Sequence, residues 1–234
     1  MTSTLEHERT RRARSIAAPD GVPRLLAGWY DERSPASLAQ HVARFGDVPD
    51  RKGARLIDEL EASGLAGRGG AGFPTHRKLR AVLGARRTPI VVANGMEGEP
   101  ASAKDRFLLS VAPHLVLDGA VLAAAAVGAE TVHVCVPRGP RSTRPALERA
   151  IEERRLLGRD GPRIHLWSLP PRYVAGEETA VVSLLNGADA RPTMTPPRPF
   201  ERGVDGRPTL LQNVETLAHL ALIARFGAAW FRET

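Results

Sequence analysis

Pro89-Ile90-Val91-Val92-Ala93-Asn94 is a short unbroken apolar run that gives way at once to Gly95-Met96-Glu97-Gly98-Glu99-Pro100. A run this short and this apolar suits a strand buried on both faces of a parallel sheet. The chain beyond it alternates. Residues 113–128 read as an alanine-rich apolar helix ended by Gly128, and Thr131-Val132-His133-Val134-Cys135-Val136 as a second strand. Residues 143–157 form an amphipathic helical pattern, and Arg163-Ile164-His165-Leu166-Trp167-Ser168 a third strand. Residues 177–185 and 213–226 complete the series as helices, separated by a proline-rich irregular loop over 192–208. Strands separated by helices argue for a parallel sheet, because a parallel crossover needs a helix-length connection.

Upstream, residues 54–63 place Leu56, Ile57 and Leu60 on one helical face, with Gly64 as the cap. Helical stretches are expected between residues 23 and 45, at 24–30 and at 37–42, the latter following the helix-start signal Ser34-Pro35. Residues 1–20 are charged and poor in large apolar groups, so they are expected to be a mobile tail. The expected fold class is therefore α/β, a Rossmann-like parallel sheet flanked by helices, with a helical N-terminal extension. Three units are expected: the tail 1–20, the helical extension 21–53 and the α/β domain 54–234.

The bulk numbers narrow the function classes. The chain has 234 residues, 42% hydrophobic and 25% charged, enough for one ordinary globular core. Its one cysteine, Cys135, makes no internal disulfide and cannot alone hold an iron–sulfur cluster or structural zinc. That usage fits a reducing compartment. The net charge is +7, but all except Lys52, Lys78 and Lys104 of the 33 basic residues are arginines spread among 26 acidic ones. Such interspersion gives no nucleic-acid footprint. The longest apolar run, 120–129, falls well short of the ~20 residues of a bilayer crossing, so no membrane insertion is expected. Arg11-Arg12 is followed by no apolar segment, and a cytoplasmic location is expected.

Four segments carry candidate chemistry. Gly67-Arg68-Gly69-Gly70-Ala71-Gly72-Phe73 satisfies G-x-G-x-x-G, but a helix precedes it where the dinucleotide fingerprint requires a strand. Its glycines still let backbone amides approach an anion closely, with a helix starting near Thr75 and Lys78 one turn inside it. Asn94 to Glu97 follows the first strand, where loops of a parallel sheet line the ligand crevice. Asn94 offers both a donor and an acceptor. Gly176-Glu177-Glu178-Thr179 and Asn213-Val214-Glu215-Thr216 each read as a helix start, the latter with Asn213 as its cap. Each segment alone is equally well read as a turn or a cap. His114, His133, His165 and Cys135 are expected to be structural, and no His/Cys/Asp spacing suggests a metal.

Taken in order, the glycine run 67–75, Asn94 to Pro100 with Lys104-Asp105-Arg106, Gly176 to Thr179, Pro196-Pro197 and Asn213 to Thr216 resemble a known family. It is that of the NADH-oxidising large flavoprotein subunit of respiratory complex I, shared with hydrogenase and formate dehydrogenase diaphorases. The resemblance covers roughly residues 54–234. It implies an FMN-binding oxidoreductase domain that takes electrons from NAD(H) and passes them to an iron–sulfur protein subunit or domain. The flavin, with no catalytic side chain, would carry the chemistry. The cofactor-binding residues it implies are Gly67, Arg68, Gly69, Gly70, Gly72, Phe73, Lys78, Asn94, Glu97, Gly176, Glu177, Glu178, Asn213 and Thr216.

Several positions depart from the family pattern. Met96 stands where the family has aspartate, Ala81 where an aromatic is usual, Thr195 for a lysine, Arg198 for a phenylalanine and Ala175 for a cysteine. The family continues into a domain whose four cysteines hold an iron–sulfur cluster, and no such cluster is expected in this chain. These departures motivate an alternative expectation, a non-catalytic accessory or assembly subunit that keeps the fold without NADH, or even FMN, binding.

Overall fold

The computed structural model describes residues 24–27, 29, 34–50, 53–99, 101–139, 142–158, 161–170, 176–192 and 196–233. The tail expected over 1–20, Pro100, Ala175 and Thr195 lie outside the described residues. Four strands form one sheet in the order β3-β2-β1-β4: β1 is Ile90–Asn94, β2 Thr131–Pro137, β3 Arg163–Leu169 and β4 Thr209–Asn213. All pairings are parallel. Ahead of β1 come α1 (Leu38–Phe45), α2 (Ala54–Ser63) and α3 (Thr75–Val82). Between β1 and β2 lie α4 (Lys104–Val111) and α5 (Pro113–Val127); α6 (Arg144–Leu156) leads into β3 and α7 (Glu178–Leu185) follows it. After β4 the chain closes with α8 (Val214–Phe226) and α9 (Ala228–Glu233).

The expected α/β class holds, and its three sequence-expected strands are present. The fourth, β4, is an addition, since residues 209–212 fall in no expected element. Its position matters most for function. The chain steps outward from β1 to β2 and β3, then returns to the other side of β1 as β4. Between β1 and β4 the two directions of winding part, and a crevice opens at the carboxyl ends of these strands. In register, Asn94 of β1 lies opposite Asn213 of β4.

Two cores pack against the two sheet faces. Val91, Ala93, Val132, Val134 and Leu210 face a layer built from α2, α3, α5, α6 and α8. Ile90, Val92, Cys135 and Leu211 face a smaller layer containing Val181 and Leu185 of α7. Burial pushes the Cys135 thiol up, as suits a strand residue with no role in exchange. The centre of the larger layer is α5, which starts at Pro113 and stops at Gly128 in the left-handed conformation. Gly119 lets α8 approach it at backbone distance: a Cβ there would lie 1.9 Å from the Leu217 carbonyl oxygen. Among the described residues no single helix is long and apolar enough to cross a membrane; α4 and α5 together have the composition but bend by 98° at their junction.

The helical stretch expected from Ser37 is α1, which Ser37 itself caps. Ser37 and Gln40 form a reciprocal capping box, which satisfies two amides at the helix start. A buried polar cluster then locks α1 to the α/β body. Asp118 of α5 accepts from His41 Nε2 of α1 at 2.7 Å, from Arg154 Nη2 of α6 at 2.6 Å, and from Arg225 of α8. Nearby, Glu153 accepts from the Leu38 amide at 2.7 Å and lies 3.1 Å from His114 Nε2.

Two buried histidines make stability depend on acid. Burial, with His41 and Arg154 nearby, pushes His114 down from 6.5 to about 4. Burial, with His165 beside it, does the same to His133, whose Nδ1 accepts from Trp167 Nε1 at 2.6 Å. Because both folded values lie below the unfolded one, unfolding takes up protons as the pH falls. The melting temperature should therefore hold above about pH 6.5 and decline progressively towards pH 4. His133→Gln keeps an acceptor for Trp167 and should flatten part of that decline. A melting curve measured at half-unit pH steps checks both; equal slopes for the two proteins would refute the assignment to His133.

Candidate functional site

The glycine segment is held at both ends before it reaches the crevice. The Gly67 amide donates to Phe73 O at 2.9 Å and the Thr75 amide to Leu65 O at 3.0 Å, closing a tight loop between α2 and α3. Gly70 (φ 104°) and Gly72 (φ 61°) adopt backbone conformations that L side chains rarely take. The loop lies over the start of α8: the Arg68 amide donates to Thr216 Oγ1 at 2.8 Å, and a Cβ on Gly69 would lie 3.5 Å from Asn213 Cβ. Among the described residues, the amides of Gly69, Gly70, Ala71 and Gly72 have no backbone acceptor.

The loop after β1 is fixed by Asn94, which has both of its amide functions engaged within the protein. Asn94 Oδ1 accepts from the Met96 amide at 3.0 Å, and Nδ2 donates to Gly176 O at 2.9 Å. Its carboxamide therefore ties two loops together rather than presenting a free edge. Glu97 is likewise engaged: it accepts from Ser102 Oγ at 2.5 Å and from the Asp105 amide at 3.1 Å, capping α4. Met96 is only 4% exposed, and its side chain joins the smaller core with Val92 and Cys135.

Gly176 comes so close to the β1 loop that a Cβ would lie 2.4 Å from Met96 O. Glu177 caps α7, accepting from the Thr179 and Ala180 amides at 2.9 and 3.0 Å. Glu178 pairs with Lys78 of α3 across the crevice. Lys78 thus meets a carboxylate rather than standing as a free charge. Asn213 caps α8, its Oδ1 accepting from the Glu215 amide at 2.9 Å while its Nδ2 donates to Asp105 Oδ2 at 2.6 Å.

These segments enclose a common cavity of about 800 Å3. All fourteen residues expected from the sequence line it: Gly67, Arg68, Gly69, Gly70, Gly72, Phe73, Lys78, Asn94, Glu97, Gly176, Glu177, Glu178, Asn213 and Thr216. Lys104, Asp105 and Gln212 line it too and were missed. Lys104 Nζ lies 2.6 Å from Asp105 Oδ1 and 2.9 Å from Glu215 Oε2. Burial lowers the Lys104 pKa, but these two carboxylates outweigh it and the net shift is upward, so it stays cationic. Burial raises Asp105, against the pull of Lys104 and Asn213. Glu215 is held down to about 2 by His219 and Lys104. A signal for the first two existed in Lys104-Asp105-Arg106, but nothing local indicated that α4 folds back onto the crevice. Gln212 was hidden in the unrecognised strand. Among the described residues no group of three or more His, Cys, Asp or Glu is placed to hold a metal ion.

The crevice can therefore do three things. Its open glycine amides can bind an anion, Lys104 supplies a positive charge, and Phe73, 42% exposed at the mouth, offers one aromatic face.

Comparison with known proteins agrees with this geometry. The model of the Nuo51 FMN-binding domain matches residues 60–222. The second of the NADH-quinone oxidoreductase F subunits of Rhizobium meliloti is 35% identical over 230 residues, covering 94% of this chain and 52% of its own length. The corresponding F subunit of Rhodobacter capsulatus is 36% identical over 187 residues, covering 75% of this chain and 43% of its own. A chain of a NAD+-reducing NiFe-hydrogenase, solved in the H2-reduced state, superposes with a TM-score of 0.73 at 33% identity. That match covers 88% of this chain and 35% of the hydrogenase chain. The chain spans about half, or less, of the length of the curated relatives it matches.

Proposed function

This chain belongs to the Nuo51 FMN-binding domain family, and from that premise we propose that its strand-end cavity holds FMN and serves electron transfer from a nicotinamide nucleotide to an iron–sulfur partner. The observation that carries the reading is the convergence of four separated segments on one crevice at the point where the sheet reverses its winding. The residues present suit the cofactor. The volume lies within the range of small-ligand sites, the amides of residues 69–72 are open, and the buried Gln212 Nε2 has no partner among the described residues.

The chemistry that bound FMN supplies is acceptance of a hydride and release of electrons one at a time. The chain's own residues bind and orient. The glycine amides and Lys104 would neutralise the phosphate, as backbone nests and cations do elsewhere. Asn94, Glu97, Glu177 and Asn213 would act by holding loops and helix starts in place, since each is engaged in a cap or a loop tie. Glu178 would turn from Lys78 towards the nicotinamide end of the dinucleotide.

The flavin unit is read as residues 54–234, with 21–53 as a helical extension, α1 of which is docked through His41 and Leu38. A partner subunit is supported by relatives that are themselves named as subunits, and an iron–sulfur acceptor and a cytoplasmic location complete the proposal.

Nicotinamide binding should be weak. Ala81 is exposed on α3 one turn beyond Lys78, and Arg198 is exposed in the turn after the proline pair. The family's aromatic groups at these positions would contribute ~1–3 kcal/mol each if they act like base-stacking faces. Anaerobic stopped-flow reduction of the FMN-loaded chain by NADH should be slow and far from saturation. Ala81→Phe combined with Arg198→Phe should raise the rate at fixed low NADH by about tenfold or more. An unchanged rate would reject this reading of the nucleotide site.

A further inference from the structure

β3 is the outer strand of the sheet, bonded to β2 on one side only. The Arg163 amide donates to Glu130 O at 2.9 Å, and Leu169 O accepts from the Arg138 amide at 2.7 Å. These end bonds fix the parity. Residues 163, 165, 167 and 169 turn their backbone groups towards β2, and residues 164, 166 and 168 turn theirs outward. Among the described residues, the outward amides of Ile164, Leu166 and Ser168 and the carbonyls of Ile164 and Leu166 have no backbone partner. Pro162 and Pro170 bracket the strand, but residues 164–168 carry no lysine, carboxylate or proline. Such groups, or a covering element, usually blunt a sheet edge, and a bare edge is a template for another strand. The side chains beside it are held in place. His165 stacks on His133 with ring centroids 5.4 Å apart, and Trp167, 37% exposed, is tied through Nε1 to His133 Nδ1.

We propose that the outer edge of β3 docks an extended acidic segment of a partner protein, which joins the sheet as an added strand. Main-chain bonds to the outward groups supply the attachment, and the ledge of His165 and Trp167 receives alternate side chains of the segment. Charge selects the occupant. Arg163 at the start of the strand and Arg138 beside its end are exposed, and neither has a carboxylate partner among the described residues. Arg138 Nη2 lies 3.3 Å from Ser168 O, so its charge sits on the edge itself. A segment with a carboxylate at each end meets both guanidiniums. A second copy of this chain fits less well. Antiparallel self-pairing centred on Leu166 sets Ser168 of one copy against Ile164 of the other, bringing Arg138 beside Arg163, and like charges there repel.

The test uses the full chain and fluorescein-labelled synthetic peptides, read by fluorescence polarisation. One peptide, as long as β3, alternates valine and threonine between terminal aspartates. A twin has lysines in place of the aspartates, and a third is the acidic peptide with every backbone amide methylated. The acidic peptide should bind with a dissociation constant below about 1 mM, about tenfold or more tighter than either of the others. Arg138→Glu combined with Arg163→Glu should reverse the preference, so that the lysine twin binds tighter; neither residue lines the strand-end cavity, and FMN uptake should not change. Ser168→Pro removes one outward amide and leaves the bonds to β2, so peptide binding should weaken while the melting temperature holds. If that variant does not fold, the charge-reversed chain, altered only at exposed residues, decides the question. Absence of binding up to about 1 mM, equal affinity for the aspartate and lysine peptides, or full binding of the methylated peptide would overturn the proposal. So would a dimer in sedimentation that Ser168→Pro abolishes, since the edge would then belong to a second copy.

Discussion

Gly176→Ala is expected to give a folded protein that no longer takes up FMN. A methyl group there would lie 2.4 Å from Met96 O and 3.3 Å from the Gly98 amide nitrogen. Both are backbone atoms, so no rotamer change relieves the clash and one loop must move. Moving it breaks the bond from Asn94 Nδ2 to Gly176 O, which holds the β1 loop against the α7 start. The walls of the cavity separate, while both cores keep their contacts. Stability should fall by about 1–3 kcal/mol, the usual cost of overpacking. FMN affinity should fall by two orders of magnitude or more, since a misplaced wall loses several contacts together. Urea unfolding and FMN fluorescence titration measure the two quantities. Retained affinity would mean that the junction of these loops is not part of the flavin site.

Asp118→Ala should be the most destabilising single change outside the cavity. The carboxylate is 1% exposed and balances two buried guanidiniums, Arg154 and Arg225, while accepting from His41. Burial alone would raise its pKa, but the His41 hydrogen bond and the Arg225 and Arg154 charges hold it well below the carboxylate range. Removal of one member of such a group leaves charge without compensation and costs about 3–5 kcal/mol. It also frees α1, because His41 loses its partner on α5. None of these four side chains lines the strand-end cavity, so whatever fraction remains folded should bind FMN as the parent does. Chemical denaturation with a parallel flavin titration separates the two effects. A loss below about 1 kcal/mol would show the cluster to be solvated and weak.

Much of the architecture is legible because burial and period agree. The runs at β1 and β2 are almost wholly apolar and almost wholly buried, and Gly64 and Gly128 end helices where the sequence places them. β4 is harder to read. Thr209–Asn213 is short, ends in two amide residues and runs directly into α8, so its polar end reads as a helix start. α4 is hidden for a different reason. It has no side-chain cap at its N-cap residue, and the carboxylate that closes its first turn, Glu97, lies several residues upstream. The site residues are legible as a set, since glycine and acidic motifs mark loops at strand ends. Their individual tasks are not. Asn94, Glu97, Glu177 and Asn213 read as ligand contacts in one dimension, and in three each lines the cavity while also holding backbone amides. Met96 reads as a lost polar contact, yet it faces the core, where a thioether packs without cost.

Whether the flavin sits in the strand-end crevice is best decided by hydrogen exchange with mass analysis, on the flavin-free chain with and without saturating FMN. Simultaneous slowing is expected in four separated segments: residues 67–73, 94–99, 176–178 and 212–216. Protection limited to one of them, or spread elsewhere with these four unchanged, would contradict a flavin held where the windings of the sheet part.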